Sequence, residues 1–117
     1  MKTINNWKPV ITSLVRHLKQ DGFILSTVDD SEETILCRTD GTGIDAINSV
    51  DESSAYFAHA GEERKLWAFI VLGNEPCELV ADYTARDSDV GRKFDASITA
   101  WSDSWEGKSC PTKEVAR

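Results

Sequence analysis

The chain has no CxxC pair, only two histidines, and no apolar run near the roughly 20 residues that a membrane-spanning helix needs. Each absence closes a class of function. Cys37, Cys77 and Cys110 are odd in number and widely spaced, so a disulfide framework, a dithiol redox centre and a thiolate zinc site all lack their spacing. His17 and His59 stand far apart, with no HxxxH or HExxH pattern between them, and no metal or cofactor is expected. The first ten residues, MKTINNWKPV, lack the apolar centre of a signal peptide. The chain therefore reads as soluble and cytoplasmic, with no membrane segment. Positive charge is scarce as well: 20 acids against 13 bases give a net charge of -7. That sign opposes generic attraction to nucleic acid, so direct nucleic-acid binding is the least favoured function.

What is present is organised around residues 65–84, KLWAFIVLGNEPCELVADYT. Leu66, Ala68, Ile70 and Leu72 fall on one side of an extended chain, and Trp67, Phe69 and Val71 on the other. A strand apolar on both faces belongs in the middle of a sheet. Gly73, Asn74, Glu75 and Pro76 then force a turn. The return from Cys77 to Thr84 alternates apolar and polar residues, as an edge strand does.

The remaining elements follow in order. Asn5 or Asn6 is expected to cap a helix with Pro9 in its first turn. Trp7, Ile11, Leu14 and Leu18 form its stripe, and Gly22 ends it. Strands over 23–28 and 33–38 flank an acidic turn. Thr39 to Gly43 reads as a loop, with Thr42 and Asp45 as the capping pair of a short helix that buries Ile44 and Ile47. A strand over 55–60 precedes the central one. Val90, Phe94, Ile98, Trp101 and Trp105 then mark a long helix that stops at Gly107. The order α-β-β-α-β-β-β-α predicts an α+β fold: a mostly antiparallel sheet of about five strands with an N-terminal, a short middle and a long C-terminal helix packed on it. At 117 residues the chain fits one compact domain spanning 1–117, with 108–117 as a polar tail.

Few residues carry legible chemistry. Cys37, His59 and Asp82 supply the types for a thiol nucleophile, base and orienter, but no family motif joins them, and a small buried thiol is the simpler role for Cys37. Gly107, Lys108 and Ser109 imitate the end of a phosphate-binding loop, but Ser102 occupies the place of its first Gly and the segment closes a helix instead of opening one. Gly41 and Gly43 precede the expected short helix and could bring backbone N–H groups to an anion, although a capped turn explains them equally.

Two surfaces remain. Asp29, Asp30, Glu32 and Glu33 crowd one turn, which reads either as solvated surface or as an acidic docking site. Trp67 and Phe69, with Tyr83 and His59, would line a pocket, or a face for a partner, if the helices cover only one side of the sheet. The GNEPCELVADYT and WEGKSCP stretches resemble small proteins carried on bacterial mobile elements; the resemblance implies no activity and transfers no functional residue. The expected function is a small, acidic, non-catalytic interaction protein of accessory or inhibitory type, whose partner is another protein or a second copy of the chain. The alternative is a small-ligand-binding or minor enzymatic domain at the Trp67, Phe69, Tyr83 and His59 pocket.

Overall fold

The computed structural model describes residues 2–110 and 112–115, with side chains described for 6–110. Three helices and a five-stranded antiparallel sheet follow the expected order. They are α1 (Lys8–Gln20), β2 (Ile24–Asp29), β3 (Thr34–Leu36), α2 (Asp40–Asn48), β4 (Glu52–His59), β5 (Glu62–Val71), β6 (Val80–Tyr83) and α3 (Asp89–Trp105). A further ribbon pairs β1 (Lys2–Asn5) with β7 (Thr112–Val115) antiparallel. Part of the segment expected as a polar tail is therefore a strand; Pro111 and the last two residues lie outside the described residues. Among the described residues no helix is long and apolar enough to cross a membrane.

Sheet order is β3-β2-β4-β5-β6. The antiparallel β2–β4 pairing, from Ile24↔Ala58 to Asp29↔Ser54, joins the first hairpin to the later meander. β5 lies inside the sheet and β6 on its edge, as their patterns require. Gly73, at φ +106°, begins the connection between them, and a 3-10 turn over Pro76–Glu78 replaces the first part of the expected return strand. Gly22 (φ +90°) likewise supplies the left-handed step after α1.

The start of α1 differs from expectation. Trp7 is the cap residue and makes no side-chain cap bond, since an indole has no acceptor to offer the helix N–H groups; its ring is instead drawn into the core at 8% exposure. Burial there, with Pro9 fixing the backbone, takes the place of an asparagine cap. α2 begins earlier than expected: Thr39 accepts a bond from the Thr42 N–H, and Gly41 and Gly43 lie within the helix. Gly43 is required by contact, since a Cβ there would lie 2.2 Å from Leu25 Cδ2 and 2.9 Å from Cys37 Sγ. Gly43 thus serves close packing of α2 on β2, whereas Gly41 is exposed, with only Thr39 Oγ1 near the place of its Cβ.

α3 keeps its stripe, with Phe94, Ile98 and Trp101 buried and Val90 and Trp105 at the margin. Ser88 caps it by accepting from the Gly91 N–H at 3.0 Å. Helix propensity favours Ala over Gly by about 1 kcal/mol, yet a Cβ on Gly91 would lie 2.2 Å from the backbone oxygen of Arg86. Backbone cannot rotate away as a side chain can. Gly91→Ala is therefore expected to destabilise by about 2 kcal/mol net, read from the denaturant midpoint; a stabilised variant would show that the Arg86 loop yields freely.

Polar bonds hold the helices to one another. Trp101 Nε1 donates to Ser13 Oγ at 3.0 Å and Ser97 donates to Asp21 at 2.6 Å, joining α3 to α1 and its cap. Lys8 and Lys19 reach Asp45 and Asp40, each at 2.9 Å, joining α1 to α2. Those two exposed pairs fix geometry more than they stabilise, each contributing about 0–1 kcal/mol.

Candidate functional site: the open face of the sheet

Strand burial divides the sheet cleanly. Leu25, Val28, Ser53, Ala55, Phe57, Leu66, Ala68 and Ile70 are buried, and the register puts them on one face, through pairs such as Val28↔Ala55, Ala55↔Ala68 and Phe57↔Leu66. That face carries the helices. The opposite face carries Thr27, Ser54, Tyr56, Trp67, Phe69 and Val71, all half-buried, and no described element packs over it. Its centre is a cross-strand row, Leu36–Thr27–Tyr56–Trp67. Trp67 and Phe69 stack on one another at 6.3 Å between ring centroids. Leu36 and Ile24, at 59% and 43% exposure, are the large apolar side chains that stand furthest into solvent.

The next row, Asp29–Ser54–Phe69–Asp82, places carboxylates on both sides of Phe69. Two adjoining depressions open at this end of the face. One, of about 160 Å³, is lined by Asp29, Ser31, Glu52, Ser53, Ser54 and Phe69; the other, of about 450 Å³, by Asp30, Ser31, Glu32, Val50, Asp51 and Glu52. No basic residue lines either. The described ion pairs, made by Lys8, Lys19, Arg86 and Arg92, engage none of these acids. The turn between β2 and β3 and the one before β4 are thus spatial neighbours.

The four acids of the β2–β3 turn do different things. Asp29 accepts from the Ser31 N–H at 2.9 Å, and Asp30 from the Glu32 and Glu33 N–H groups at 3.0 and 2.9 Å. These bonds hold Ser31 at φ +76°, a conformation that costs a non-glycine residue energy. Glu32 and Glu33 are exposed. The Glu33 and Glu32 amides lower the Asp30 pKa below the ordinary aspartate value, since both donate to the ionised form. A lowered folded-state pKa means that the turn's stabilisation is complete above the ordinary aspartate pKa and is lost as pH falls through the lowered value. The Glu32 and Glu33 amide proton shifts are expected to titrate together below that ordinary range, and Asp30→Asn should remove the transition.

The four residues grouped by sequence into one pocket are separated. Trp67 and Phe69 lie on the open face. Tyr83 is opposite Ala68, hence on the helix side, where its ring meets Phe94 edge-on at 6.2 Å and its hydroxyl donates to Asp95. That bond, followed by burial, raises the Tyr83 pKa. His59 sits at the end of β4, its ring 4.7 Å from that of Phe23 and its Nδ1 accepting from the Gly61 N–H at 2.9 Å. Tyr83 lines a groove of about 540 Å³ with Asp82, Arg86, Arg92 and Asp95, away from Trp67.

Cys37, His59 and Asp82 are likewise dispersed. Cys37 packs at Gly43 with its thiol directed to the Ile35 carbonyl, and burial, then Asp40, pushes its pKa up. Asp82 bonds the Tyr83 N–H. Among the described residues no group of three or more His, Cys, Asp or Glu is placed to hold a metal ion. The open face was readable in outline from the two-sided β5 pattern; the neighbourhood of the acidic turns was not, because it depends on the β2–β4 register. In comparisons with known proteins, no family model, no curated protein and no solved structure matches the chain.

Proposed function

We propose that this chain is a small, non-catalytic cytoplasmic interaction protein, an accessory or inhibitory factor that binds another protein through the open face of its sheet. A single observation carries the reading: three helices cover one face of a sheet whose other face presents Trp67, Phe69, Tyr56, Leu36 and Ile24. Isolated apolar residues on a surface need no explanation, but contiguous aromatic and aliphatic ones across four strands mark a surface that gains by being covered. Trp and Tyr are also the side chains in which interfaces concentrate their binding energy. The alternative, ligand binding, has the Tyr83 groove behind it. There Arg86 is held by Glu62 at 2.5 Å and Arg92 by Asp87 and Asp89, so the groove's cations are already engaged.

The test is capture from host lysate on the tagged protein, with nuclease added and with sizing of the purified chain. A protein retained by the wild type and released by substitution of Trp67 and Phe69 supports the reading. A partnerless monomer, or a partner indifferent to those two residues, overturns it.

A further inference from the structure

The charges around the open face define the kind of partner that fits it. On the strands, the register directs the acids Asp29, Glu52 and Asp82 to this face, while the exposed bases Arg64 and Lys65 stand in the irregular start of β5, at the other end of that strand from Val71, the partner of Glu52. Asp30, Glu32 and Asp51 extend the negative end into the adjoining depressions. The acids at that end, Asp29, Asp30, Glu32, Asp51 and Glu52, have no ion-pair partner among the described residues. A second copy seated face to face would bring together two chains of net charge -7, each presenting the same carboxylates of Asp29, Glu52 and Asp82. Like charges opposed across an interface suppress association. The aromatic centre nevertheless asks for cover, and the flat ring faces of Trp67 and Tyr56 suit guanidinium and ammonium groups as well as apolar side chains.

We infer that the occupant of the open face is an arginine- or lysine-rich segment of another protein, whose apolar side chains cover Trp67 and Phe69 while its cations meet the acids around Glu52 and Glu32. This deepens the reading that the face binds a protein, and rests on it. Opposite charge speeds the encounter and fixes orientation, while the aromatic centre holds the complex once formed.

The probe is a short synthetic peptide alternating Arg with Leu, and a matched peptide with Glu in place of Arg. Each is titrated into nitrogen-labelled protein while the tryptophan indole signals are followed. The Arg peptide should shift the Trp67 indole saturably and leave that of Trp101, buried against Ser13, in place; the Glu peptide should shift neither. E32K combined with E52K should weaken the Arg peptide about tenfold. D103K combined with E106K changes the net charge equally on exposed residues at the end of α3 and should leave affinity within about twofold. Equal weakening by both pairs, equal binding of the Glu peptide, or no movement of Trp67 overturns the inference. Sedimentation separates it from the reading beneath it. A dimer that W67S combined with F69S dissociates would make a second copy the occupant, overturning the cationic partner while preserving the interaction face. With no peptide binding, no dimer and no face-dependent capture, both fail.

Discussion

Phe94→Ala is expected to destabilise the protein by about 3–5 kcal/mol, a large part of the stability available to a domain of this size. Phe94 has no solvent exposure and is the point where α3 meets the sheet. Its ring lies 5.0 Å from that of Phe23, 5.9 Å from Phe57 and 6.2 Å from Tyr83. These partners come from the α1–β2 connection, β4 and β6, so truncation removes one side of every pair at once. The surroundings are anchored in three different elements and cannot collapse together into the void, which puts the cost in the upper range for a lost aromatic ring. Chemical denaturation followed by circular dichroism measures it. Phe94→Leu, which keeps most of the volume, should cost less than half as much. An unchanged midpoint in the alanine variant would show that α3 is not held through this ring.

Replacing Trp67 and Phe69 together by Ser should leave the fold nearly intact and weaken the proposed complex about a hundredfold. The two effects separate because both rings are half-buried on the face that the helices leave uncovered. In the free protein their loss removes a stacked pair and its cross-strand neighbours, worth about 0.2–1 kcal/mol each. In a complex it removes aromatic anchors at the centre of the buried patch. Thermal unfolding and titration calorimetry on the same sample measure both. A large fall in melting temperature with unaltered affinity would assign the pair to folding instead of recognition.

How much of this was legible beforehand depended on whether the deciding interaction was local. The stripes of α1 and α3 and the two-sided pattern of β5 are local, and their elements stand where periodicity puts them. Alternation says that Leu66 and Trp67 face opposite ways; it does not say which way the helices lie. That choice belongs to packing between distant elements and separates Tyr83 and His59 from Trp67. Gly43 looked like loop material because its packing partner, Leu25, is distant in sequence. The strand at Thr112–Val115 has no apolar alternation to announce it and is defined by its pairing with Lys2–Asn5. β3, with three residues, is shorter than any periodicity can resolve.

The joining of α1 to α3 bears on how the chain reaches this state. Ser13 and Trp101 are 88 positions apart, and Asp21 and Ser97 are 76. α2 and β2 cover part of the first helix early, but the side it gives to α3 stays bare until most of the chain has been synthesised. Closing so long a loop before its contacts can form slows folding. Emergence from the ribosome thus leaves a window in which the part of the α1 surface that α3 later covers is exposed on the nascent chain.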